Sequence, residues 1–275
     1  MSSRELNPSV PEVMRQNIMK DEFGWEIPVE AIPLPTKGVV YSPDSTLYNR
    51  DVLHIKSMTA REEDILASPA FHKEGTSLTH LINSCLTDKS INCDDMIIGD
   101  RMALMVGIRV TGYGPDYHAS SNCQSCNQKN DFVVDLTTLG IKRLKISPAQ
   151  PGENKFEFTL PVTKKKVIFK YVTERENRER SIAAKNMQKA FGNAVANNIT
   201  SFLENAIVSI EGVTDRAKIK HFVMNMPAFD SKSLRTFISE NEPGIDMRCE
   251  FVCKNCGDHN ELNMPMTTEF FWPSK

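Results

Sequence analysis

The sequence predicts an α+β protein. An N-terminal β-hairpin and helices lead into a β-rich lobe, and that lobe carries a helical insertion. Three observations predict it. Two C-x2-C pairs, Cys123/Cys126 and Cys253/Cys256, stand far apart in β-prone surroundings. The stretch between them, from residue 174 to about 240, is charged and helically spaced. The segment before the first pair changes from strand-like alternation to helix-like spacing.

The elements follow in order. Residues 1–27 are polar, interrupted by Pro8 and Pro11, and keep no apolar face, which predicts a flexible arm. Residues 28–118 form the hairpin-plus-helix region. Pro28, Pro33 and Pro35 hold the backbone extended. "GVVY" (38–41) reads as a strand, "SPDST" as a turn and "DVLHIKSM" as the returning strand. "TAREEDILAS" opens a helix, with Thr59 as N-cap and Glu62 at capping-box spacing. The acidic run from Arg61 to Asp64 reads as a solvated helix face. "SLTHLINSCL" repeats Leu78, Leu81, Ile82 and Cys85 at helical spacing, which makes Cys85 a core residue. "DDMIIGDRMALMVGIRVTGYG" does the same through Ile98, Met102, Met105 and Val106, then stops at Gly112 and Gly114. Its methionines read as core packing.

Residues 119–173 and 245–275 are assigned to the β-rich lobe. Within it, "NKFEFTLPVTKKKVIFKYV" is a hairpin with three solvated lysines at its turn. Residues 174–244 form the insertion. "NITSFLENAIVSIEGV" places Ile199, Phe202, Leu203, Ala206, Ile207 and Ile210 on one helix face. "FDSKSLRTFISEN" reads as a further helix, capped by Asp230 or Ser231 and ended by Asn241, Pro243 and Gly244.

Composition narrows the function. Apolar content of 40% and charge of 25% are those of an ordinary globular protein. A net charge of −2 argues against a coat for nucleic acid or for an anionic membrane. No apolar run approaches the roughly 20 residues that span a bilayer. The first residues lack the apolar core of a secretory signal, so a reducing compartment is expected. There, closely spaced cysteines serve metals more often than disulfides, and seven cysteines cannot all pair.

Each pair reads as extended chain, knuckle, tight turn and strand, which is half of a zinc ribbon, twice. Two thiolates three positions apart grip one tetrahedral ion when the chain turns sharply between them. Asn127 and Gly257, just after each second cysteine, suit left-handed turns. Cys123, Cys126, Cys253 and Cys256 are therefore the expected ligands of a structural Zn2+. Four thiolates close the shell and leave no position for an activated water. His118, His259 and Cys249 are near enough in sequence to substitute, but read as bystanders. A redox dithiol needs its C-x2-C at a helix N-terminus, and neither pair has that setting. No phosphate loop, G-x-S-x-G or H-E-x-x-H occurs, and the six histidines are scattered. The reading is a non-enzymatic binding or scaffold protein without a small-molecule substrate.

The motif order adds a resemblance. "LPTKGVVY", "MTAREEDILASPAF", "IIGDRMALMVGIRVTGYGPDYH" running into "CQSC", and "CKNC" followed by "TEFFWP" stand in one sequence. That order resembles the baseplate protein family of T4-type tailed bacteriophages, over roughly residues 30–275. The family includes baseplate hub subunits and hub assembly factors. The resemblance implies a non-catalytic virion or assembly protein whose partners are other baseplate hub proteins. Its place would be the host cytoplasm during assembly, or the tail of the particle. Phe270, Phe271 and Trp272 then read as aromatics tucked onto the zinc lobe, or as anchors for a partner. Two rival readings are a nucleic-acid-binding zinc ribbon using "KKK" and "RENRER", and a thiol redox protein.

Overall fold

The computed structural model describes residues 17–20, 24, 26–191 and 198–272, with the side chains of 17–20, 26, 184–191 and 198 left aside. Most of the expected arm, residues 1–27, lies outside the described residues. The chain is a mixed α/β structure of eight helices and small antiparallel sheets among those residues.

β1 (Asn17–Lys20), β2 (Glu26–Pro33) and β3 (Val52–Lys56) form the first sheet, in that order. The extended backbone around Pro28 and Pro33 is β2 itself, and it pairs with the expected returning strand through Ile32 and Leu53. Gly38–Tyr41 is not a strand. It winds through turns between β2 and β3. The reason lies on a later helix. Buried Asp100 accepts the Thr36 amide at 3.0 Å, the Thr36 hydroxyl at 2.5 Å and the Tyr41 hydroxyl at 2.7 Å. Gly38 sits at φ 72°, where an added Cβ would lie 2.4 Å from the Leu47 carbonyl. The apolar residues Val40 and Tyr41 are thus buried by a turn and not by a pleat.

α1 (Ala60–Ala67), α2 (Pro69–Glu74) and α3 (Ser77–Cys85) follow. The Glu62 carboxylate accepts the Thr59 amide at 3.0 Å, as the capping spacing predicts. Yet Glu62 is fully buried, which corrects the reading of Arg61–Asp64 as a solvated face. It also accepts from Lys56 Nζ at 2.8 Å and Ser84 Oγ at 2.6 Å, so a buried charge is fully partnered. α4 (Ile98–Tyr113) runs through the core, with Leu104, Met105 and Ile108 buried. The helix passes Gly112 and is closed by Gly114 at φ 83°. Gly99 is needed because a Cβ there would meet the Pro243 carbonyl at 1.8 Å.

β4 (Asp116–Asn122) pairs with β5 (Lys129–Asp135) as a two-stranded ribbon. β6 (Ile141–Lys142) is short. β7 (Phe156–Thr159) and β8 (Lys166–Phe169) form the expected hairpin around the lysine turn. α5 (Glu174–Phe191) and α6 (Asn198–Ala206) come next, and then β9 (Ile207–Ile210). The helix expected through Ile210 therefore stops at Ala206. Ile-Val-Ser-Ile is β-prone, and β8 offers an open edge, so the segment joins the hairpin with Val167 opposite Ile210.

α7 (Arg216–Met224) and α8 (Ala228–Asn241) complete the helical stretch. α8 begins behind Pro227, so neither Asp230 nor Ser231 caps it. Asp230 instead accepts the Val162 amide at 2.7 Å, the Thr163 amide at 3.0 Å and the Thr163 hydroxyl at 2.9 Å. It fastens the turn of a distant hairpin. β10 (Gly244–Ile245) pairs with β6, and β11 (Arg248–Val252) pairs with β12 (His259–Asn263). One apolar cluster joins residues from Ile32 to Phe271. Phe270 and Phe271 are buried, with Phe270 5.2 Å from the Tyr117 ring, while Trp272 stays part exposed.

Candidate metal centre

Two ribbons of the same build carry the two knuckles. β4–β5 turns at 123–128, and β11–β12 turns at 253–258. In the first, the Cys123 amide donates to the Gln128 carbonyl and the Asn127 amide to the Cys123 carbonyl, each at 2.9 Å. In the second, the Cys253 amide donates to Asp258 and the Gly257 amide to Cys253, again at 2.9 Å. Asn127 and Gly257 have φ 57° and 74°, the left-handed positions that their sequence places predict. Neither C-x2-C opens a helix.

The knuckles meet. All four Sγ atoms lie within 4.8 Å of one another. Cys123 and Cys256 are 3.6 Å apart, as are Cys126 and Cys253. A tetrahedral ion with Zn–S bonds of about 2.3 Å would separate its sulfurs by about 3.8 Å. The donor set therefore fits a closed four-thiolate zinc shell in number, chemistry and spacing. Cys123 and Cys253 are buried, and Cys126 and Cys256 are exposed.

Two asparagines that the sequence reading did not single out bind the halves together. Asn130 Oδ1 accepts the Lys254 amide at 3.0 Å, and its Nδ2 lies 3.5 Å from Cys253 Sγ. Asn260 mirrors it. Its Oδ1 accepts the Gln124 amide at 2.8 Å, and its Nδ2 lies 3.5 Å from Cys123 Sγ. Each asparagine belongs to one ribbon and serves the other. The signal was present as C-x2-C-x3-N in both "CQSCNQKN" and "CKNCGDHN". Phe132 and Phe251 stack between the ribbons with centroids 4.6 Å apart.

The thiols are tuned unequally. The Cys126 amide, followed by that of Ser125, lowers the Cys123 thiol below its ordinary value despite partial burial. The Cys256 and Asn255 amides and the Asn130 side chain bring Cys253 down to about 6. Cys256 receives the Asp258 amide, yet its three sulfur neighbours push it up to about 12. Four thiolates this close repel one another, and a cation removes that conflict. Cys85, Cys93 and Cys249 lie elsewhere and are buried. Burial raises all three, and Cys249 donates instead to the Leu262 carbonyl. His118 and His259 stand on β4 and β12 outside the four-sulfur group.

No helix among the described residues is long and apolar enough to cross a membrane. No match was found among curated proteins or among solved structures. A family model described as T4 bacteriophage base plate protein matches residues 41–272, which includes both knuckles and the core helix α4. With a match over most of its length, the chain belongs to the family of T4 bacteriophage base plate proteins.

Proposed function

We propose that this structural base plate protein acts at the central hub of a contractile tail, as a hub subunit or a hub assembly factor without catalysis. It is a scaffold stapled by one Zn2+ on Cys123, Cys126, Cys253 and Cys256, and its partners are other base plate hub proteins. The observation that carries the reading is the convergence of thiol pairs 127 positions apart, from Cys126 to Cys253, on two matching ribbons. When bound, the ion supplies four bonds that tie the ribbons together where a disulfide would be reduced. Cys123 and Cys253 are prepared for it by amide donation, and Asn130 and Asn260 fix the distance between the knuckles. A saturated shell offers no position for substrate or water, which suits a brace.

Such a protein assembles in the host cytoplasm and, as a hub subunit, remains in the virion tail. Mass spectrometry of purified particles, beside a metal assay on the purified chain, tests both halves. One zinc per chain is expected. Presence in particles assigns the subunit role, and absence with assembly still dependent on the protein assigns the factor role. A chain without metal that assembles normally would contradict the reading.

A further inference from the structure

A cleft of about 580 Å3 opens where α1, α2 and α3 meet the end of β3. Its rim is cationic and its floor is apolar. Lys56, Arg61 and Lys89 contribute positive charge, while Ile65 and Phe71 line it with half-buried apolar surface. His80 stacks on Phe71 with ring centroids 4.2 Å apart.

The charges are unevenly satisfied. Lys56 is committed, since its Nζ lies 2.8 Å from buried Glu62. Lys89 reaches only main-chain carbonyls, those of Asn83 at 3.0 Å and Ser84 at 2.9 Å. Arg61 is exposed and makes no ion pair among the described residues. Burial and the nearby positive charge of Lys56 and Arg61 lower the Lys89 ammonium below its ordinary value, more than the Glu62 carboxylate raises it. Glu62, the carboxylate that acts on Lys89, already accepts from Lys56, Ser84 and Thr59.

We propose that this cleft docks an acidic segment of another protein, with carboxylates meeting Arg61 and Lys89 and an aromatic or aliphatic side chain lying on Ile65 and Phe71. Charge complementarity selects the occupant. Two unneutralised cations flanking an apolar floor match a chain that alternates acidic and apolar residues. The apolar surface of Ile65 and Phe71 favours such a chain over a bare phosphate, which would leave that surface uncovered. The cleft is remote in sequence from the thiol pairs, and the proposal stands or falls apart from the zinc reading.

The test is fluorescence anisotropy on the full chain with a fluorescein-labelled glutamate–tyrosine copolymer. Labelled polyglutamate and tripolyphosphate serve as comparison anions. The wild type should bind the copolymer in preference to both, and more weakly as salt rises. Arg61→Gln combined with Lys89→Gln should weaken binding about tenfold or more, with unchanged circular dichroism. Phe71→Ala should erase the preference for copolymer over polyglutamate. Lys164→Gln with Lys165→Gln, on the exposed turn elsewhere, should bind as the wild type does. Absence of copolymer binding overturns the proposal, as does binding that survives the Arg61/Lys89 double change. Loss through the turn lysines would show unspecific attraction, and tighter tripolyphosphate binding would reassign the cleft to small phosphate anions. Either result also overturns it.

Discussion

Asn130 and Asn260 each reach a sulfur and an amide of the opposite knuckle, and each also donates to a carbonyl of its own ribbon. Partners outside the ligand shell commonly set metal affinity by about 10–100-fold. Asn130→Ala should therefore weaken zinc about tenfold in a chelator competition, and the double change with Asn260→Ala should weaken it further. Unchanged affinity would reduce both to filling. Glu62 makes a second residue-scale case. Burial alone would raise its carboxyl, but Lys56, Ser84 and Thr59 outweigh burial and hold it at about 2, below the ordinary 4.5. A depressed carboxylate contributes its stability above 4.5 and loses it as pH falls toward 2. The stability gap between wild type and Glu62→Gln should thus shrink across that window, as read by urea unfolding. A gap independent of pH would contradict the assignment. The grouping of the four cysteines was legible because C-x2-C spacing is a local property of one knuckle. The asparagines were not, because their partners lie on the other ribbon, and Glu62 looked solvated because burial by α3 is invisible in a run of charges.

Elements divide the same way. The β7–β8 hairpin, α3 and α4 were legible from periodicity and turn residues held within each segment. β9 was not. Ile207 and Ile210 satisfy a helical face as well as a strand, and only the vacant edge of β8 decides between them. Gly38–Tyr41 carried strand-like residues, but the distant Asp100 carboxylate wound them into turns. Asp230 shows the matching failure at a helix start, since its side chain left its own helix to hold Val162 and Thr163. Asp230→Ala leaves two amides without their acceptor and should cost about 1–3 kcal/mol. Hydrogen exchange should accelerate at Val162 and Thr163 before it does in α8. Equal protection at those amides would show that the turn holds itself.

At the scale of the whole molecule, α4 packs against β2 and β3 on the first sheet and against β10. Gly99 lies against the Pro243 carbonyl, where an added Cβ would come within 1.8 Å of the oxygen. Gly99→Ala should lower stability by about 1–3 kcal/mol through overpacking, seen as a reduced Tm. An unchanged Tm would mean that β10 moves aside freely. The order of motifs carried the family, and the family match over residues 41–272 agrees with it. How strands distant in sequence pair was not legible, since pairings such as Val167 with Ile210 join segments that no local pattern relates.

The proposed staple is open to one direct measurement, X-ray absorption at the zinc edge on the purified protein. The expected result is one zinc per chain surrounded by four sulfur scatterers at about 2.3 Å, falling to an incomplete shell in Cys126→Ser. A metal-free chain that keeps its fold, or an edge showing nitrogen or oxygen ligands in place of sulfur, would contradict it.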